Sequence, residues 1–286
     1  MLILLLLQGV IDVELERTWA VAGIDPAPVA DDADFLRRVS LDVVGVIPSA
    51  AEAEAFLADR SPGKRERLVE NLLGRPEYAR NWSRIWSSAI LGVGEVRMQA
   101  EVASRLPTAL ESLFAENLPL DEIAGRVVAW TTPRGAEGDG LSLFYKELFI
   151  RADGERAQFL AGRFARAFLG IQIQCARCHD HPFEPWTQKQ FYGMAAFFAG
   201  TYHARHGVGD RPVGAVKSLA IPGTPTRLAP AYLGTNEGPA GSELPRSAFA
   251  RILVRDPQFA QAAVNRVWAN FFGRAFVTPV DGFGER

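Results

Sequence analysis

Apolar residues recur at three- and four-residue spacing through most of the chain, the period of an amphipathic helix. From Ile11 to Trp130 this predicts a succession of helices. The first covers Ile11–Ala22 and stops at Gly23, ahead of Pro26. Asp31–Leu41 follows, with Phe35, Leu36 and Val39 on one face and Arg37 and Arg38 beside them. Ser49 and Glu52 form a capping box for a helix over Ala50–Asp59. Ser61 with Pro62 opens the next, which Gly74 closes ahead of Pro76. Pro76–Leu91 carries Tyr78, Trp82, Ile85, Trp86 and Ile90, a broad apolar stripe that predicts packing. Met98–Glu116 reads as a helix kinked or broken at Pro107, and Leu120–Trp130 as a shorter one after Pro119. Thr131–Gly140 is a loop whose glycines lack the strand–Gly–helix setting of a phosphate cradle. Leu141–Ile150 fits either strand or helix.

Helical spacing returns at Glu155, with Phe159, Phe164, Phe168 and Ile171 leading to Cys175. Pro182 disfavours helix at His181, so the helix bearing the cysteines is expected to stop near Asp180. Thr187 and Gln190 form a second capping box for a helix carrying Phe191, Tyr192, Met194, Phe197 and Phe198. Beyond Gly200 the pattern dissolves into Gly- and Pro-rich sequence up to Pro245, the character of a linker or extended loop. Asp256 then caps a helix opened by Pro257, with Phe259, Val264, Val267, Trp268 and Phe271 on its apolar face before Gly273. The remaining VTPVDGFGER reads as irregular chain docking back. The fold class expected is mainly α: a multi-helix domain with a helical hairpin around the cysteines, plus an irregular Gly/Pro-rich segment. The expected divisions are a truncated signal segment (1–10), a helical domain (11–205), a linker (206–245) and the start of a second, truncated helical domain (246–286). No repeat at 20–50-residue spacing is visible.

Composition adds little to this. A chain of 286 residues, 48% hydrophobic and 22% charged, has ample material for a core. A net charge of −2 gives no basic field for nucleic acid or anionic lipid. Leu2–Leu7 is too short to span a bilayer and resembles the apolar part of a secretory signal, although no basic residue precedes it.

The chemistry concentrates at Cys175-Ala176-Arg177-Cys178-His179, which holds both cysteines and one of the four histidines. C-x-x-C-H is the signature of c-type haem attachment. At about 100° per residue, one α-helical turn would present both thiols and the imidazole to the same object. The thiols would form thioethers with haem, and His179 would be the proximal iron ligand. Phe191, Phe198 and the aromatics before Cys175 would then clamp the macrocycle, with Met194 or His203 as near-equal distal candidates and His181 and His206 as further ones. Trp82 and Trp86 would suit a haem wall but read more simply as core. Arg37 and Arg38 could meet a propionate, but a solvated face or an ion pair with Asp42 explains them as well. Arg177 and Asp180 flank the motif as surface residues or as charges that steer a partner. Three other readings compete. Zinc at Cys175, Cys178, His203 and His206 would make a structural or binding module, with an interval longer than a finger's and a histidine spacing one residue short. A thioredoxin-type dithiol expects a βαβ setting that the helical flanks do not offer. Two inert core thiols are the third.

The run FLGIQIQCARCHDHPFEPWTQKQFYGMAAFFA, the N-terminal IDVELERTWAVAG…RPEYARNW and the segment around Arg37-Arg38…Leu41-Asp42 resemble a planctomycete cytochrome-like family, a bacterial domain of unknown function. Residues 246–286 are similar to the start of the domain that usually follows it. The resemblance implies a secreted protein, periplasmic or extracellular, with an attached haem c at Cys175, Cys178 and His179. It also implies membership of larger multidomain assemblies, so that the chain is either a fragment or a short member. The function expected is therefore electron transfer by an extracytoplasmic mono-haem c-type cytochrome domain, with an unidentified redox partner protein, no nucleic acid and no transmembrane span. The zinc module is the alternative. No Ser/His/Asp arrangement, H-E-x-x-H or paired-carboxylate motif supports a hydrolase, and a haem peroxidase-like activity is the enzyme reading left open.

Overall fold

The computed structural model describes residues 9–92, 100–133, 140–151, 155–204, 207–212, 214–216 and 218–284. The architecture is mainly helical, as the periodicity requires. Helix α1 (Val10–Ala22) ends at Gly23 and has no buried residue. Helix α2 (Asp32–Val44) starts on Asp31, whose carboxylate accepts from Asp34 N–H. In α3 (Ala50–Ala58) the Ser49–Glu52 box forms in both directions, and those hydrogen bonds with Arg75 hold the Glu52 pKa down to about 2. Helix α4 (Lys64–Leu73) begins two residues later than the Ser61-Pro62 signal suggests, on Gly63 at φ 71°. Asp32 binds Lys64 at 2.6 Å and Arg65 at 2.7 Å, fastening α2 to α4.

The main core lies beyond these helices. Helix α5 (Pro76–Leu91) buries Trp82 and Trp86, and Trp86 stacks on Phe168 at 6.1 Å, so both tryptophans are core. Helix α6 (Ala100–Ala115) packs on α5 and runs through Pro107. Leu106, Leu110 and Leu113 are buried there, and that packing outweighs the hydrogen bond Pro107 forfeits. Helix α7 (Leu120–Val128) follows. The ambiguous stretch resolves as α8 (Gly140–Arg151), because Leu141, Phe144 and Tyr145 bury one helical face. Helix α9 (Arg156–Phe164) packs on α10 (Gln188–Ala196), and the two flank the cysteine motif as a pair.

The Gly/Pro-rich stretch opens with a hairpin, β1 (Thr201–Ala204) against β2 (Gly207–Asp210), followed by the short pair β3 (Leu219–Ala220) and β4 (Arg227–Leu228). Helix α11 (Pro245–Leu253) lays Phe249 against Phe197 at 5.4 Å and Phe198 at 4.9 Å. Its Arg246 is 0% exposed and forks onto Asp210 of β2 with contacts of 2.7 and 2.8 Å. The third arm reaches the Trp130 carbonyl at 2.8 Å, and the guanidinium lies 5.2 Å from the Tyr145 ring. Burial pushes the Tyr145 pKa up to about 12, and its hydroxyl donates to the Val127 and Val128 carbonyls. Helix α12 (Pro257–Phe272) starts on Asp256 as read, yet its buried stripe is Phe259, Ala262 and Asn265. Val264 and Phe271 of the expected face are exposed, and Trp268 packs outside on Phe272 and Phe276. The last described residues are irregular and dock back through Phe283 N–H to the Gly170 carbonyl at 2.9 Å. No helix among the described residues is long and apolar enough to cross a membrane.

Arg246 generates a stability prediction. Removing one member of a buried pair strands the other charge, at a cost of about 3–5 kcal/mol. Arg246→Met should therefore lower denaturation stability by about that amount. The double change Asp210→Leu/Arg246→Met should recover most of it in urea titrations.

Candidate functional site

The helix expected to carry the cysteines stops short of them. Helix α9 ends at Phe164, passes through a π turn over Ala165–Leu169, and is terminated by Gly170 at φ 65°. A side chain at Gly170 would come within 2.8 Å of the Phe283 ring and 3.2 Å of the Val280 carbonyl, so the docked C-terminal segment requires glycine there. Ile171 and Ile173 are then buried in a stretch outside any helix or strand, and Gln174–Arg177 forms a single 3₁₀ turn with Cys178 as its cap. Ala176 is wholly buried between the two cysteines. The turn sinks its smallest side chain and lifts both thiols outward, and both are free and exposed. Gln188 at the start of α10 pins the turn, its amide donating to the Arg177 and Cys178 carbonyls at 3.1 and 3.0 Å. The Arg177 guanidinium touches the Cys178 side chain and pairs with Glu155 at 2.8 Å. Together these contacts hold its pKa above the usual arginine value.

A concavity of about 280 Å³ opens beside the turn. Arg163, Arg166 and Arg177 line it with Gln158, Phe159 and Gln174. None of these arginines but Arg177 belongs to the motif. The signal that could have found the other two is Arg163-x-x-Arg166, two cations three positions apart and so on one helical face.

Residues 10–203 match PSCyt2, described as a protein of unknown function (DUF1549). The chain belongs to the PSCyt2 family. No curated protein and no solved structure matches it. The family description names no haem, metal or activity, so the chemistry of this PSCyt2 chain has to come from its own geometry.

That geometry corrects the haem and zinc expectations. The aromatics expected to clamp a porphyrin are already closed on one another: Phe164 lies 5.6 Å from Phe198, which packs on Phe249 at 4.9 Å. The concavity left beside the cysteines is smaller than the roughly 300–1,000 Å³ of pockets that enclose even drug-sized ligands. Met194, a distal candidate, is fully buried, and its sulfur accepts from Leu233 N–H at 3.3 Å. His181 is spent as a turn cap, its Nδ1 accepting from Glu184 N–H at 3.0 Å. His179 is exposed, with Nδ1 donating to the Asp180 carbonyl at 2.7 Å. His203 sits on β1 opposite Val208, where burial and the charges of Lys146 and Arg156 depress its pKa; the same cations oppose a metal ion. His206 lies outside the described residues. Among the described residues no group of three or more His, Cys, Asp or Glu stands where it could hold a metal. The residues therefore do not fit haem c or zinc, and the electron-carrier, peroxidase and zinc-module readings fall together. Arg37 and Arg38 are exposed on α2, and the charge of Arg38 acts on Asp42.

The depressed His203 pKa has a stability consequence. On acidification the unfolded chain takes up its proton first, near 6.5, while the folded imidazole stays neutral. Stability present above that pH should decline as pH falls below it. Urea midpoints at pH 7.5 and 5.5 should show a smaller acid-side loss in His203→Gln than in the parent.

Proposed function

We propose that Cys175 and Cys178 form a dithiol–disulfide exchange site, and that the chain is a thiol-redox module of an extracytoplasmic protein. The observation that carries this reading is the placement of two free, exposed thiols on one 3₁₀ turn. Side chains three apart on such a turn eclipse, with a rise of about 2 Å per residue. Three residues therefore span roughly 6 Å, within the 4.4–6.8 Å that a disulfide bridges. A thioredoxin-type dithiol would ordinarily sit in a βαβ unit, and the pinned turn replaces that scaffold: buried Ala176 below and Gln188 at its carbonyls fix both sulfurs without it.

The exchange balances in two steps. One thiolate attacks a substrate disulfide, releasing one thiol and leaving a mixed disulfide on the protein. The second cysteine attacks the protein-side sulfur, releasing the other thiol and closing Cys175–Cys178. Two electrons pass from the dithiol to the substrate. The partner class is thus a disulfide-bearing peptide or small molecule. An extracytoplasmic location is part of the proposal, supported by the apolar run Leu2–Leu7.

The test uses the reduced chain, oxidised glutathione, an acid quench and mass spectrometry. The parent should lose two hydrogens and retain no adduct. Cys175→Ser and Cys178→Ser should each retain a single stable adduct. A parent chain carrying two stable glutathione adducts would show independent thiols and overturn the reading.

A further inference from the structure

We infer that Phe183 is the docking anchor of the exchange site, and that its substrates are polypeptide disulfides flanked by apolar side chains. The inference rests on the thiol reading above and deepens it by naming the substrate class. Phe183 is 86% exposed, and among the described residues no ring or cation packs on it. Pro182 and Pro185 beside it are exposed as well, so the loop after the cysteine turn carries an apolar tip. A lone phenylalanine in water needs no explanation, whereas an apolar tip held rigidly beside two exposed thiols has the character of an interaction site.

The frame that holds this tip closes on itself. His181 N–H donates to the Trp186 carbonyl at 2.8 Å, which joins the two ends of the loop. Inside it, His181 Nδ1 accepts from Glu184 N–H at 3.0 Å and from Phe183 N–H at 3.3 Å. Pro182 and Pro185 stiffen the tip further, each ring fixing its φ at about −65°. The residues that bound the loop also pin the thiols. Gln188 N–H donates to the Asp180 carboxylate at 2.7 Å, while its side-chain amide holds the Arg177 and Cys178 carbonyls. Glu184 in turn lies against Gly284, where a Cβ would overlap its carboxylate. Phe183 and the cysteine turn therefore belong to one hydrogen-bonded unit, and an anchor ordered in advance loses little entropy on binding.

Phe183 follows Cys178 by five positions, a span of at most about 18 Å. A peptide segment of about six residues can therefore reach the thiols and cover the ring together. Oxidised glutathione can react at the thiols but has no apolar side chain to lay on the ring. Charge offers no competing basis for selection. Residues 175–190 hold two cations, Arg177 and Lys189, against two carboxylates, Asp180 and Glu184. Recognition falls to apolar contact, and a phenylalanine ring is the largest such contact the tip presents.

Two ten-residue peptides test this, each closed by one disulfide, one with Leu and Phe beside its cysteines and the other with Ser there. Each is mixed with the reduced full chain, quenched in acid and followed by mass spectrometry. We expect the parent to reduce the apolar peptide about tenfold faster than the polar one, the ratio that about 1.4 kcal/mol of apolar burial gives. Phe183→Ser should bring that ratio to about one, and Phe183→Leu should keep most of it. Ile47→Ala, which removes a side chain 65% exposed beyond α2, should leave the ratio at its parent value. Equal rates for the two peptides in the parent, or a ratio undiminished in Phe183→Ser, would overturn the inference alone, provided oxidised glutathione still closes the Cys175–Cys178 pair. A parent chain that exchanges with neither the peptides nor glutathione would remove the thiol reading and this inference with it.

Discussion

The buried fork of Arg246 onto Asp210 is the constraint on which the second half of the chain depends. An arginine that is wholly out of water is tolerated only when nearly all its donors are met, because desolvating the charge costs several kcal/mol. Here Asp210 takes two N–H groups, the Trp130 carbonyl a third, and the Tyr145 face covers the plane. Satisfying that geometry fixes α11 against the β1–β2 hairpin and the chain leaving α7. The hairpin is held in turn by Thr132, which accepts from Val208 N–H at 2.8 Å and donates its own amide to the Val208 carbonyl at 2.9 Å.

With α11 fixed, Phe249 is delivered onto Phe197 and Phe198, and the space between α9 and α10 is filled. This decides the character of the cysteine turn. The interior behind the turn is filled, so among the described residues the buried positions go to Ile171, Ile173 and Ala176, and both cysteines are exposed. The same packing leaves the open space on the other side of α9, where Arg163 and Arg166 emerge beside Phe159. Both the exposed dithiol and the arginine-lined concavity follow from one helix pair being closed by a third.

The docked C-terminal segment completes the arrangement. Phe283 and Val280 press on Gly170, which ends the helical run in the left-handed region before the motif begins. Asp281 reaches Arg166, and Asn265 exchanges two hydrogen bonds with Val277 to hold the segment on α12. A change in this segment would therefore be felt at the arginines and at the turn, through contacts rather than through sequence proximity.

Much of the helical succession was determined by the sequence alone, because its signals close within a few residues. Ser49 with Glu52, Thr187 with Gln190 and Asp256 with Gln258 are hydrogen bonds spanning two or three positions, and all form as read. The aromatic stripe of α5 was legible for the same reason: helical periodicity is a local property. The candidate site was legible only as a cluster of special residues, Cys175 and Cys178, and not as a chemistry. Whether those thiols faced a cavity or solvent rested on Phe249, Phe283 and Gly170, and the fold's central ion pair joins residues 36 positions apart, with a third contact across 116. Such contacts leave no periodic trace, since any surface arginine and aspartate look alike until the chain brings one pair together out of water.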